Sequence, residues 1–234
     1  MIRVLVVDDQ ALVRGGVCLM LRTAGEDVVG EAPDGNQAVR LADRLRPDVI
    51  LMDLRMPHMD GIEATRRILA AHPAIRILML TTFDEDAEVY GALQAGAVGY
   101  LLKDGSPDTL IDAVRRAAHG ESLLAPAVLA KVVARAVHAH RHDTADNRVA
   151  GRDDLALLSP RERQVLSLLG AGRSNAEIGA VLHLGVTTVK SHVAAVTEKL
   201  SLRNRVQAAV RAHQLGLIDD DFRPVDEQPA DRPE

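Results

Sequence analysis

Five short apolar runs alternate with stretches of helical periodicity through the first 120 residues. The runs are Ile2–Val7, Val28–Ala32, Val49–Met52, Ile75–Leu80 and Val98–Leu102. Between and after them, apolar residues recur at helical spacing from Ala11 to about Thr23, Gly35 to Leu45, Ile62 to about Ala71, Asp84 to Ala95, and Asp108 to Ala118. Strands that alternate with helices build a parallel sheet with helices on both faces. The expected fold of this half is therefore an α/β doubly wound, five-stranded parallel sheet. Right-handed crossovers bring the carboxyl ends of such strands to one rim. Asp8, Asp9, Asp53, Thr81 and Lys103 all fall at those ends. No Gly-rich loop follows the first strand, which argues against a Rossmann or P-loop nucleotide site.

Asp53 ends the most apolar of the runs, and Pro57 follows it closely. Alone, such a residue is either a strand-end cap or a reactive carboxylate. Its company decides between them. Carboxylates gathered on one rim repel each other unless a cation sits among them, and a hard divalent ion such as Mg²⁺ suits oxygen ligands beside a phosphoryl group. Lys103 offers a positive charge and Thr81 a hydroxyl to phosphoryl oxygens. A carboxylate can take up a phosphoryl group as an acyl phosphate. The rim reads as a phosphoryl-accepting aspartate with its metal and its clamp.

Charge separates the second half from the first. The net charge of the chain is -5, yet residues 1–125 sum to -6, residues 155–218 to +5 and residues 219–234 to -5. An acidic front and a basic segment behind it imply two domains, the basic one suited to nucleic acid. Between them, Ala125 to about His140 is Ala- and Val-rich with helical character, and Pro126 is favourable in its first turn. His138, His140 and His142 alternate, a spacing that does not place them on one helical face. Asp143 to Asp154 is polar and aperiodic and reads as a flexible linker. The tail after Ile218, acidic and with three Pro, reads as disordered. The single Cys18 fits a reducing compartment. No apolar run is long enough to span a bilayer, and the opening residues lead directly into a strand pattern rather than a secretory signal.

In the basic segment, Ser159-Pro160-Arg161-Glu162 has the pattern of a helix start, with Ser159 as N-cap, Pro160 at the first position and Glu162 poised to complete a capping box. Ser174 starts a second helix, Leu184-Gly185-Val186 makes a tight turn, Thr187 opens a third helix, and Asn204 to Leu215 forms a fourth. Two short helices about a Gly-containing turn make a helix-turn-helix, whose second helix enters the major groove. Thr187, Thr188, Lys190, Ser191 and His192 would lie near the bases, while Val189, Val193 and Val196 recur on the core face. Residues 155–218 contain no aromatic side chain, so duplex DNA is a better partner than stacked single strands.

Residues 1–120 resemble the receiver domain of two-component response regulators. The matching elements are Asp8-Asp9, Asp53 before Leu-Arg-Met-Pro, Asp60-Gly61, Leu80-Thr81 and Gly99-Tyr100-Leu101-Leu102-Lys103. Residues 155–218 resemble the LuxR-type DNA-binding domain through Leu158-Ser159-Pro160-Arg161-Glu162, Ser174-Asn175-Ala176-Glu177-Ile178, Thr188-Val189-Lys190-Ser191-His192-Val193, and Lys199-Leu200 before Arg203 and Arg205. Together they are similar to response regulators of the NarL/FixJ type.

The resemblance implies phosphorylation of Asp53 by a sensor histidine kinase. It implies Mg²⁺ held by Asp8, Asp9, Asp53 and the Arg55 main-chain carbonyl, a grip on the phosphoryl group by Thr81 and Lys103, and Tyr100 as a switch aromatic. It further implies that Lys190 and Ser191 face bases, while Thr188, Lys199, Arg203 and Arg205 approach phosphates. Phosphorylation would promote domain release, dimerisation and promoter binding, in the cytoplasm and away from membranes, with RNA polymerase a candidate partner. Two positions depart from the family pattern: Asp104 follows Lys103 where many receivers carry Pro, and Ala194 stands where some relatives carry a basic base-reading residue. The implied organisation is a receiver of flavodoxin-like fold over 1–120, a linker helix and flexible linker over 121–154, an all-α four-helix helix-turn-helix domain over 155–218 and a disordered acidic tail over 219–234. The implied role is transcriptional control rather than catalysis. A phosphohydrolase with an aspartyl nucleophile would need a substrate pocket, a leaving-group acid and usually a cap domain, none of which the sequence places. An adaptor whose helix-turn-helix no longer binds DNA is opposed by Lys190, Arg203 and Arg205.

Overall fold

Strand β3 (Val49–Asp53) is buried along its whole length. It lies at the centre of a five-stranded, all-parallel sheet with the order β2-β1-β3-β4-β5, formed with β1 (Arg3–Val7), β2 (Asp27–Ala32), β4 (Arg76–Thr81) and β5 (Gly99–Leu102). Successive side chains of a strand point to opposite faces, so a continuous apolar run serves two cores at once. Leu5, Val7, Ile50, Met52, Ile77 and Met79 pack on one face, against Ala38, Leu41 and Ala42 of α2 (Gly35–Leu45), Ala64, Ile68 and Leu69 of α3 (Gly61–Ala71), and Ala92 of α4 (Asp86–Ala95). Val4, Val6, Val49, Leu51, Leu78 and Leu80 pack on the other. There they meet Val17, Cys18 and Leu21 of α1 (Ala11–Thr23) and Ala113, Val114 and Ala117 of α5 (Pro107–Ala118).

This is the computed structural model of the chain. It describes residues 1–81, 86–119, 123 and 154–218, and divides into two compact units, one within residues 1–124 and one within 125–234. The helix expected over 125–140, His138, His140 and His142, the polar stretch up to 153 and the acidic tail lie outside the described residues, as do the first two residues of the helix expected from Asp84. No helix among the described residues is long and apolar enough to cross a membrane.

Side-chain caps fix where the helices begin. Asp34 accepts a hydrogen bond from the Gln37 amide, Asp60 from Glu63, Ser106 from Thr109 and Asn204 from Gln207. Each such cap stabilises a helix by about 1 kcal/mol. Ser106, followed by Pro107, starts α5 just before the position expected from Asp108.

The second unit contains α6 (Pro160–Gly170), α7 (Asn175–Leu182), α8 (Val186–Lys199) and α9 (Arg205–Gln214). Its core is Leu158, Val165, Leu166, Leu169, Ile178, Val189, Val196, Ala208, Ala212 and Ile218, with Val193 partly buried against it. The capping box expected at Ser159 and Glu162 is present, and Ser174 with Glu177 makes a second one. The turn between α7 and α8 differs from the reading centred on Gly185. The left-handed residue is His183, at φ 53°, whereas Gly185 is extended and serves as the N-cap of α8. Gly179 is the glycine this turn requires: a Cβ there would stand 2.7 Å from the Leu184 carbonyl oxygen. Asp154, read as the end of the linker, begins a helical turn instead, and its carboxylate accepts from Arg211 Nε at 2.7 Å.

Glu162 ties the start of α6 to the end of α8. Besides closing its capping box, it receives Lys199 Nζ on both carboxylate oxygens, at 2.9 and 2.7 Å, across 37 residues. The Lys199 ammonium, with the Ser159 amide, holds the Glu162 carboxyl at about 2. A carboxyl depressed by folding contributes stability that is present above its ordinary value of 4.5 and lost as pH falls toward about 2. Thermal melts of wild type and Glu162→Gln across this range should show the variant less stable near neutrality and the gap closing as the buffer is acidified. Parallel curves would mean that the pair contributes nothing.

Candidate functional site

The strand order reverses direction between β1 and β3, and open α/β sheets bind ligands at that point, beyond the carboxyl ends of the strands. Asp8 follows β1 and Asp53 ends β3, so the topology sets the two carboxylates side by side. Asp8 is fully buried, Asp53 is buried and Asp9 is exposed. One carboxylate oxygen from each lies within 4.8 Å of those from the other two. Lys103 Nζ stands 2.7 Å from Asp8 Oδ2 and 2.9 Å from Asp53 Oδ1. The Gln10 amide donates to Asp8 Oδ1 at 2.8 Å. Thr81 is buried at the end of β4, and its carbonyl accepts from the Lys103 amide at 2.8 Å. Tyr100 is half-buried against the core on the sheet face covered by α2, α3 and α4, and Arg55 is exposed in the loop after β3. The sequence-predicted residues Asp8, Asp9, Asp53 and Lys103 are thus brought together, with Thr81 tied to them through the Lys103 main chain.

Burial pushes the Asp53 carboxyl above its ordinary value, and the charge of Asp8 adds to this, while Lys103 opposes it. For Lys103, burial alone would lower the ammonium, but its bonds to Asp8 and Asp53 outweigh burial and raise it. Three carboxylates and one ammonium leave an excess of negative charge at a rim where Asp8 and Asp53 are shielded from water and Asp9 is open to it. An all-oxygen donor set of that charge fits a hard divalent cation.

The start of α3 is seated directly on the phosphoryl-accepting candidate. The Gly61 amide donates to the Leu54 carbonyl at 3.0 Å, and a Cβ on Gly61 would fall 2.1 Å from the Asp53 carbonyl oxygen. Sequence reasoning did not single out Arg14, although its Nη1 donates to the Asp8 carbonyl at 2.7 Å.

In the second unit, Thr187, Thr188, Lys190 and Ser191 are exposed along the first turns of α8, with Ala194 beside them and His192 half-buried. Val189 and Val196 face inward. The Ser191 hydroxyl donates back to the Thr187 carbonyl at 3.2 Å. Arg203 is exposed. Lys199 is engaged with Glu162, as above. Arg205 is half-buried, and its Nη1 donates to Asn175 Oδ1 at 2.9 Å, bracing the first turn of α7. Burial pushes its guanidinium down to about 10, and its Nη2 is buried without a hydrogen-bond partner among the described residues. Arg161, also not singled out from sequence, donates to the Leu182 carbonyl at the end of α7.

Comparisons with known proteins agree with both units. Residues 4–115 match the response regulator receiver domain, and residues 156–212 match the luxR family of bacterial regulatory proteins. The response regulator protein VraR of Staphylococcus aureus is 43% identical over 219 residues, spanning 93% of this chain and 99% of its own. Among solved structures, a two-component response regulator of the LuxR family from Aurantimonas is 36% identical with a TM-score of 0.52, over 58% of this chain and 99% of its own. The signal receiver domain of a NarL response regulator from Mycobacterium tuberculosis is 43% identical with a TM-score of 0.50, over 51% of this chain and 98% of its own.

The clearance at Gly61 yields a contrast. Gly61→Ala must displace the Asp53 carbonyl or the start of α3, and should destabilise the chain by roughly 1–3 kcal/mol. Gly16→Ala lies in α1 with nothing within 4 Å of the new methyl, and should stabilise it by roughly 0.5–1 kcal/mol. Denaturant midpoints of both variants and wild type test the pair; equal midpoints for the two variants would refute the packing argument.

Proposed function

The chain belongs to the two-component response regulators that join a receiver domain to a LuxR-type DNA-binding domain, and from that premise we propose that phosphorylation of Asp53 by a sensor histidine kinase controls its binding to duplex promoter DNA. The observation that carries this reading is the cluster of Asp8, Asp9 and Asp53 with Lys103 bridging two of them. An Asp53 carboxylate oxygen attacks the phosphorus carried on a kinase imidazole nitrogen, the P–N bond breaks, and an acyl phosphate forms. Asp8, Asp9, Asp53 and the Arg55 carbonyl would hold Mg²⁺, which neutralises charge on the transferring group. Lys103 gives up part of its bonding to Asp8 and Asp53 to grip a phosphoryl oxygen, and the Thr81 hydroxyl donates to another. Tyr100 turns inward as Thr81 is drawn toward Asp53.

In the second unit, Lys190 and Ser191 read base edges from the exposed face of α8. Thr187 lies beside them on the first turn of α8, and Thr188, Lys199, Arg203 and Arg205 approach the phosphate backbone. Phosphorylation frees this unit from the receiver and favours a homodimer, which sets two reading helices on half-sites about one helical turn apart. The opposed net charges of residues 1–125 and 155–218 support a masked resting state. The protein acts in the cytoplasm, with RNA polymerase as a downstream partner.

Incubated with Mg²⁺ and acetyl phosphate, the wild type should gain a single phosphoryl group by intact mass, and Asp53→Asn none. On a duplex selected from a random pool, phosphorylation should tighten binding by wild type and leave Asp53→Asn unchanged. Equal labelling of the two proteins would remove Asp53 as the acceptor.

The two classes of DNA contact separate by salt and by sequence. Lys190→Ala should relax base preference at a cost of roughly 1–3 kcal/mol on the selected site. Arg203→Ala should weaken all duplexes alike and make the salt slope shallower by about one unit. If both variants lose affinity with preference intact, α8 does not read the bases.

A further inference from the structure

Three anchors hold Asp8. Its amide donates to the Ala32 carbonyl at 3.1 Å, its carboxylate is held by Gln10 and Lys103, and its carbonyl accepts from Arg14 Nη1 at 2.7 Å. The strand and the carboxylate contacts suffice to place Asp8 itself. The Gln10 amide also fixes the peptide that follows Asp9, which lies past the end of β1, is exposed, and contributes one of the three clustered carboxylates. The peptide that precedes Asp9 is the Asp8–Asp9 peptide, and Arg14 grips it by its oxygen.

Arg14 is itself built in. It sits in the first turns of α1, where its amide donates to the Gln10 carbonyl at 3.0 Å, and its side chain is only 18% exposed. Its Nε is buried without a hydrogen-bond partner among the described residues and stands 3.4 Å from Glu31 Oε2 of β2. Glu31 thus balances the guanidinium charge while the fork reaches past it to the strand end. A half-buried arginine held against a main-chain carbonyl beside a cluster of acids constrains the peptide it grips.

We propose that Arg14 is a positioning residue for the divalent-cation site, acting on Asp9 through the Asp8–Asp9 peptide. The proposal rests on reading Asp8, Asp9 and Asp53 as that site. Geometry and charge predict opposite signs for its removal. Arg14 is a cation near the site, so by charge alone its loss should tighten Mg²⁺ binding. If it positions Asp9, its loss should loosen binding, because groups that orient metal ligands typically contribute about 10–100-fold in affinity.

Calorimetric titration of the full chain with Mg²⁺, without a phosphodonor, measures this directly. Arg14→Ala should weaken Mg²⁺ by about tenfold, and Arg14→Lys, which keeps one donor and the charge, should recover part of the loss. In phosphorylation by acetyl phosphate, the Mg²⁺ concentration for half-maximal rate should rise in Arg14→Ala by more than the saturating rate falls. Asp9→Asn controls for the site: if wild type binds no Mg²⁺, or Asp9→Asn binds as wild type does, the site reading fails. If wild type binds, Asp9→Asn does not, and Arg14→Ala binds equally or more tightly, the site stands and the role of Arg14 is overturned. Should Arg14→Ala not fold, Arg14→Lys decides: affinity equal to wild type overturns the proposal, and a loss supports it.

Discussion

One ammonium group holds the receiver's rim together. Lys103 Nζ pairs with Asp8 after β1 and Asp53 at the end of β3, while its own amide is bonded to Thr81 at the end of β4. A single residue therefore ties the ends of three strands. Stripping one partner from a buried ion pair costs about 3–5 kcal/mol, because the remaining charge stays uncompensated. The same ammonium leaves the cluster short of positive charge. The rim is consequently stable as it stands and still electrostatically open to a cation and an incoming anion, a combination that neutral packing would not provide.

The layered fold was legible because its determinants are local and periodic. The run from Val49 to Asp53 reads as a buried strand, and its alternate residues do serve two cores. Helices α1 and α2 begin and end where their periodicity does, and Ser159 with Glu162 closes the box its spacing promises. The polar rim was legible for a related reason: strand ends are marked by the polar residues that interrupt apolar runs. What the sequence could not reveal are contacts made across the fold. Arg14 looks like any polar residue of an amphipathic helix; only the packing of α1 beside β1 brings its guanidinium to the Asp8 carbonyl. His183 in the left-handed region escaped notice because Gly185, two residues on, is the more obvious turn former.

The DNA-binding unit shows the same division in its charges. Lys190 is exposed on α8 as its helical position requires, whereas Lys199 and Arg205 spend their side chains partly on Glu162 and Asn175. Net charge counts all three alike. Structure divides them into one exposed ammonium and two braces, and the braces set the pose of α8 by fixing α6 to its far end and α9 to the start of α7. Positive charge in this unit thus shapes the reading surface as well as attracting the nucleic acid.

The close seat of Gly61 on the Asp53 carbonyl has a mechanical consequence. Where not even a methyl group fits between a strand end and a helix start, there is no slack for the strand to move before the helix feels it. Any shift of the Asp53 main chain is handed to α3 at its first turn, and a helix of eleven residues turns a small displacement at one end into a larger excursion at the other. The contact works as a meshed gear tooth: it transmits because it is tight, and the one side chain small enough to keep it tight is hydrogen.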